Sequence, residues 1–222
     1  MRFSFEEKLL SSLSADLLQC SLAVAVVEGR PEVRLFVGLE LDEPVRMAAA
    51  AVAERLRRRS STVAPDFKAR WIPAANLHIT VWFFGEVSDE AAARLIEQLR
   101  APLRVPTFEL AVCGCGAFPR SGAPRVLWIG TDEGTPSMVA AHAALTERLA
   151  PLSYLPEARA YSPHVTMARV KEPGRQARAV RQALADEPAD CGRTVVGALA
   201  LFRSRLSPHG AVYEPLLRVP LT

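Results

Sequence analysis

The segment His78-Ile79-Thr80-Val81 returns in the second half of the chain as His164-Val165-Thr166-Met167, and this pattern constrains the fold more than any other feature. Each copy reads His, apolar, Thr, apolar. Side chains alternate between the two faces of a β-strand, so His78 and Thr80 share one face, as do His164 and Thr166. Ile79, Val81, Val165 and Met167 then point the other way, toward a core. The chain is expected to hold two strands of this kind. Bringing them together would set two imidazoles across a cleft floored by two hydroxyls.

Around these strands the pattern alternates between strand and helix. Val33 to Leu41 is a short run of β-formers. Asp42 is expected to cap a helix with Pro44 in its first turn, running to about Arg59. There Arg57-Arg58-Arg59 would complement the helix dipole, with RNA contact as the second reading. A strand follows around Leu77 to Phe84, then a helix opened by Ser88-Asp89-Glu90 and ending near Arg100. Pro106 to Cys113 and Pro124 to Gly130 read as strands, and Thr135-Pro136 opens a helix to Leu149. The second histidine strand spans His164 to Val170, and Pro173 to Asp186 reads as helix. Thr194 to Phe202 and Ala211 to Val219 are strands joined by a turn at Ser207-Pro208-His209-Gly210. Several strands run consecutively, which favours α+β over a doubly wound parallel sheet. No glycine-rich phosphate loop is present.

The 222 residues suffice for one substantial core or two small lobes. A net charge of only +3 does not announce nucleic-acid binding. Only Lys8, Lys68 and Lys171 are lysines, so positive charge is carried by arginine, whose planar fork suits phosphate. A codon bias toward arginine is the favoured explanation, so the composition permits a phosphate ligand without arguing for one. Cys20, Cys113, Cys115 and Cys191 form no Cys-x-x-Cys pair, which points to reduced thiols and a cytoplasmic chain. The apolar run Leu22 to Val27 is too short to span a bilayer, and Glu6 and Glu7 precede it where a signal peptide wants basic residues. Residues 1–32 therefore read as an extension (a helix, a short strand or an artefact of start-codon choice) and residues 33–222 as the main domain, with Gly29-Arg30-Pro31 at the boundary.

Two histidines on facing strands suit phosphodiester hydrolysis. A neutral imidazole takes a proton from attacking water, and a protonated one donates to the departing oxygen. Threonine hydroxyls can bond the non-bridging oxygens, where negative charge develops. A zinc site built from the pair with His142 or His209 is the chemical alternative, but no metal spacing links them. His142, in a helix, and His209, in a turn, read as surface residues. No metal or cofactor is expected.

At these residues the chain resembles the two-histidine phosphoesterases, and within them the bacterial and archaeal RNA 2′,3′-cyclic phosphodiesterases, also called 2′-5′ RNA ligases. The resemblance runs from about Arg34 to the C-terminus. It takes in Arg34-Leu35-Phe36-Val37, Asn76-Leu77-His78-Ile79-Thr80, Phe83-Phe84-Gly85 and Arg125-Val126-Leu127-Trp128. It continues through Pro163-His164-Val165-Thr166 to Leu201-Phe202-Arg203-Ser204 and Ser207-Pro208. It implies two pseudo-symmetric lobes, each an antiparallel sheet with helices on its outer face, and an active-site cleft between them. It implies hydrolysis of an RNA terminal 2′,3′-cyclic phosphate to a 2′-phosphate, with His78 as proton donor and His164 as proton acceptor. The reverse reaction would join RNA ends, such as tRNA halves, through a 2′-5′ bond. Other readings are a cyclic phosphodiesterase acting on a small ribose cyclic phosphate, and an RNA-binding or tRNA-joining factor with incidental hydrolysis. No membrane or obligate protein partner is expected, and the chain reads as a monomer.

Three further positions and one departure complete the expected site. The resemblance makes Arg169 a phosphate contact beside Thr80 and Thr166, yet strict alternation would turn it away from His164, so a bulge or a strand end is required. Arg125 either contacts RNA or flanks a strand. Phe36 either stacks on a base or fills the core. Trp82 departs from the family pattern. By alternation it shares a face with His78 and Thr80, where it would narrow the cleft or stack on a nucleobase; otherwise it packs against the neighbouring lobe.

Overall fold

A computed structural model describes residues 32–207 and 210–222. Cys20, the extension before Glu32 and His209 lie outside the described residues.

Within the unit Glu32–Thr222, nine strands form one curled, antiparallel sheet. In chain order they are β1 (Glu32–Glu40), β2 (Lys68–Trp71), β3 (His78–Ser88), β4 (Phe108–Phe118), β5 (Val126–Thr131), β6 (Val165–Glu172), β7 (Asp190–Val196), β8 (Ala198–Ser207) and β9 (Gly210–Pro220). Their spatial order is β7-β4-β5-β6-β3-β1-β8-β9, with β2 pairing to β6 off this path. The sheet therefore divides into two lobes that meet at β3 and β6, one of four strands (β3, β1, β8, β9) and one of five (β7, β4, β5, β6, β2), as the α+β expectation with paired lobes requires. The junction is a single pair, Ile79 opposite Val165.

Four helices cover one face: α1 (Glu43–Val63), α2 (Asp89–Leu99), α3 (Thr135–Leu149) and α4 (Ala177–Ala185). Helix α1 packs on β7 and α4, and α2 packs on β1, β3 and β9. The core lies between helices and sheet. Ile79, Val165 and Met167 are fully buried there and Val81 is 3% exposed, so the apolar half of each motif is anchored. Truncating one of these side chains would cost about 2–5 kcal/mol.

Several boundaries differ from the sequence reading for identifiable reasons. Asp42 forms no side-chain cap on α1. Its carboxylate instead accepts the Val195 amide, and its own amide donates to Thr194 Oγ1, tying the helix start to β7. Helix α1 runs a turn past Arg59, so the arginine triplet does not close it. Arg57 and Arg58 bind Glu54, and Arg59 binds Asp186. Ser88 does cap α2, accepting the Ala91 amide. The expected strand Thr194 to Phe202 is two strands, β7 and β8, separated at Gly197. Strand β2 is absent from the sequence reading, because four residues carry too little alternation to show a strand. No described helix is long and apolar enough to cross a membrane.

Candidate active site

The Ile79–Val165 pair fixes the site. Residues directly opposed across an antiparallel pair point to the same face. Ile79 and Val165 both face the core, so His78, Thr80, His164 and Thr166 all project from the other face. The local two-fold axis at this pair sets His78 across from Thr166 and Thr80 across from His164. Two strands that meet at one pair and then diverge open a cleft between their polar stripes.

The two strands carry the same bulge. On β3, Trp82 pairs with Val37 and Thr80 with Gly38, which leaves Val81 as an extra residue. On β6, Ala168 pairs with Leu127 and Thr166 with Trp128, which leaves Met167 extra. A bulge resets the alternation by one residue. Trp82 is thereby turned to the core face, 7% exposed, and packs on His142 with ring centroids 5.5 Å apart. Trp82 does not share the face of His78, contrary to the alternation reading, and the bulge is the reason; it still lines the cavity against His164 together with His142, as the cleft-narrowing expectation had it. Phe83 takes that place, 58% exposed. On β6 the bulge has the effect that Arg169 needed: Arg169 is exposed and lines the cavity that holds His78 and Thr166.

Both imidazoles are held the same way. His78 Nδ1 lies 2.8 Å from the Asn76 carbonyl, and His164 Nδ1 lies 2.8 Å from the Ser162 carbonyl. A carbonyl only accepts, so each Nδ1 carries the proton and each Nε2 is left for chemistry. Asn76 is itself clamped, its side-chain amide donating to the Ala211 carbonyl at 2.6 Å. His78 Nε2 also lies 3.0 Å from Thr80 Oγ1.

Aromatic rings support each histidine. Phe36 and Tyr213 sit 4.9 and 5.1 Å from His78, and Phe118 and Trp128 sit 5.1 and 6.4 Å from His164. Phe36 is 4% exposed but belongs to a small cluster with Ala200 and Phe202, apart from the main core, so it supports His78 rather than fills the centre. Two glycines permit this stacking. A Cβ on Gly38 would come within 3.3 Å of His78 Cδ2, and one on Gly116 would run into the Trp128 indole.

Burial pushes both histidines below the usual imidazole value, because the charged form loses hydration. The carbonyl bonds at Nδ1 oppose this shift. Arg169 adds to it at both histidines, with His164 adding at His78 and Arg159 at His164. In the free protein at neutral pH both are therefore predominantly neutral.

Two cavities meet at Thr80 and Phe83. One of about 250 Å³ lies against His78 and is lined also by Arg34, Arg70, Thr166, Arg169 and Tyr213. The other, about 500 Å³, lies against His164 and takes in Phe118, Arg120, His142, Arg159 and Tyr161. His142 is half-buried rather than on the surface. It stacks on Tyr161 with ring centroids 4.3 Å apart, and desolvation lowers its pKa. Arg125 is exposed beside β5 and lines neither cavity. Sequence reasoning does not pick out Phe83, Arg70, Tyr213 or Asn76 as site residues. Phe83 needs the bulge, while the place of Asn76 two residues before His78, like Ser162 before His164, is a readable signal. Among the described residues, no group of three or more His, Cys, Asp or Glu side chains is placed to hold a metal ion.

A family model for the 2′-5′ RNA ligase superfamily matches residues 34–207. Among curated proteins, an RNA 2′,3′-cyclic phosphodiesterase of Archaeoglobus fulgidus is 32% identical over 82% of this chain and 97% of its own length. One of Aeropyrum pernix is 31% identical over 76% of this chain and 95% of its own. Among solved structures, a Thermus thermophilus protein is 28% identical with a TM-score of 0.64, covering 84% of this chain and 97% of its own. Escherichia coli LigT in complex with 3′-AMP is 25% identical with a TM-score of 0.63, covering 86% of this chain and 99% of its own.

Proposed function

The chain belongs to the 2′-5′ RNA ligase superfamily, and from that premise we propose that residues 33–222 form an RNA 2′,3′-cyclic phosphodiesterase in which His78 and His164 are the acid and the base. The observation that carries this reading is the matched placement of the two imidazoles, each with Nδ1 on a backbone carbonyl two residues earlier, which leaves Nε2 as the nitrogen on the cleft side. The relatives named above as RNA 2′,3′-cyclic phosphodiesterases supply the substrate class.

In this mechanism water attacks phosphorus and gives its proton to neutral His164 Nε2. The bond from phosphorus to the ribose 3′-oxygen breaks, and that oxygen takes the proton from His78 Nε2. The products are a 2′-phosphomonoester and a free 3′-hydroxyl, and proton exchange with solvent resets the pair. Thr80, Thr166 and Arg169 hold the non-bridging oxygens, where charge builds up. Binding an anionic phosphate offsets the positive field of Arg169, which favours protonation of His78 in the complex. A metal has no part in these steps. With an RNA 5′-hydroxyl attacking in the place of water, the same groups form a 2′-5′ bond without ATP.

The test is hydrolysis of nucleoside and oligonucleotide 2′,3′-cyclic phosphates in excess chelator, with the product position read by phosphorus NMR. A 2′-phosphate as sole product is expected. Exclusive 3′-phosphate would overturn the assignment of acid and base, and no turnover in chelator would overturn the metal-free mechanism.

A further inference from the structure

Strand β2 lies beside the histidine site and presents a charge arrangement that the reaction above does not use. Arg70 on β2 pairs directly with Arg169 on β6. Opposed residues of an antiparallel pair have their Cβ atoms about 4.5–5.5 Å apart, and like charges there destabilise the sheet. Such pairs are normally relieved by a carboxylate. Among the described residues neither Arg70 nor Arg169 takes part in an ion pair, whereas the neighbouring Arg34 is bound to Glu86 at 2.8 Å and Lys68, farther along β2, to Glu172 at 2.9 Å. Both guanidiniums line the cavity of about 250 Å³ that contains His78. Two uncompensated guanidiniums side by side in a concave site are a receptor for more than one anionic group.

They do not stand equally close to the chemistry. Strand β6 is bordered by β3 at Val165 and by β2 from Ala168 onward, so β2 lies farther along the cleft than the histidine pair. The charge of Arg169 acts on His78, His164 and Tyr213, while that of Arg70 acts on Tyr213 and on neither histidine. Arg169 is thus within reach of the reacting phosphate, and Arg70 is set one step away from it.

We propose that Arg70 binds the phosphodiester on the 5′ side of the terminal nucleotide, so that the site distinguishes an RNA end from a mononucleotide cyclic phosphate. This rests on the phosphodiesterase reading above and adds a substrate preference to it. The terminal nucleoside lies between the two arginines, with exposed Phe83 at the cavity wall as its stacking surface. The strand then leaves the cleft over β2.

The experiment compares kcat/KM for a mononucleotide 2′,3′-cyclic phosphate and for the dinucleotide that carries one further phosphodiester upstream. It is run on the full chain and on its Arg70→Gln and Arg70→Lys variants. A third substrate replaces the upstream linkage by an uncharged methylphosphonate. A charge-assisted hydrogen bond is worth roughly 1.5–3 kcal/mol, or about 10- to 150-fold. The wild-type chain is expected to prefer the charged dinucleotide by about 10-fold or more. That preference should vanish with the methylphosphonate and in Arg70→Gln, and return in part in Arg70→Lys. The loss should appear in KM. Equal losses on all three substrates would assign Arg70 to the reacting phosphate or to packing and overturn the proposal, as would a preference that survives in Arg70→Gln. A wild-type chain that hydrolyses all three substrates alike would overturn the subsite alone. One that hydrolyses none would overturn the phosphodiesterase reading together with it.

Discussion

Strands β3 and β6 are the same device built twice with different outputs. Over six residues, from His78 to Phe83 and from His164 to Arg169, burial follows one sequence: partly exposed, buried, partly exposed, buried, buried, exposed. Both copies have the bulge after the threonine, the Nδ1 bond to a carbonyl two residues back, and aromatic rings against the imidazole. What differs is the sixth residue, Phe83 on one strand and Arg169 on the other. The bulge delivers that residue to the cleft. One strand therefore adds an apolar surface and its twin adds a fixed positive charge. A further difference is the bond at 3.0 Å from the Thr80 hydroxyl to His78 Nε2, with no such bond between His164 and Thr166 among the described residues. Duplication supplies the symmetry that places two imidazoles about one phosphate, and departures from symmetry assign each half its part.

The strongest way to break this comparison is to remove either imidazole. His78→Ala and His164→Ala are each expected to lower kcat by about 10²–10⁴ while the melting temperature stays near that of the wild type, because each ring projects away from the core. Full activity in either variant would mean that the two strands are not equivalent parts of one site. A finer test uses the threonines. Thr166→Val removes one contact to phosphate and is expected to lower kcat/KM about 3- to 10-fold, in line with a neutral hydrogen bond of about 0.5–1.5 kcal/mol. Thr80→Val should cost a further factor of that order, because Thr80 also orients His78. Equal losses in the two variants would erase the asymmetry.

Much of this site is legible in the sequence because it depends on periodicity. The face shared by His78 and Thr80, the buried Ile79, Val81, Val165 and Met167, and the bulge or strand end that Arg169 requires all follow from alternation along a strand. Alternation also explains the failure at Trp82. A bulge inserts a residue without a compositional mark, so every side chain beyond it is assigned to the wrong face. The same logic hides Phe83. His142 reads as a surface residue because its helix gives no sign of Trp82 and Tyr161 stacking on either side. Arg70 lies on a four-residue strand, and its meaning comes from register with Arg169, which is set far away in sequence. The arginine triplet reads as a helix end because positive charge there complements the helix dipole, yet Ser61 and Thr62 bond back to the Arg58 carbonyl and continue the helix.

The division of labour between the two histidines is tested most directly by the pH dependence of kcat/KM, which reports the free enzyme. Both imidazoles lie below their usual value of 6.5. Activity needs one neutral and one protonated, so the wild-type profile is expected to be a bell whose maximum falls on the acid side of 6.5. His78→Gln removes the group that must stay protonated, and its residual activity should lose the fall at high pH. His164→Gln removes the group that must be neutral, and its residual activity should lose the rise at low pH. An intact bell in both variants, or loss of the same limb in both, would contradict the assignment of His78 as acid and His164 as base.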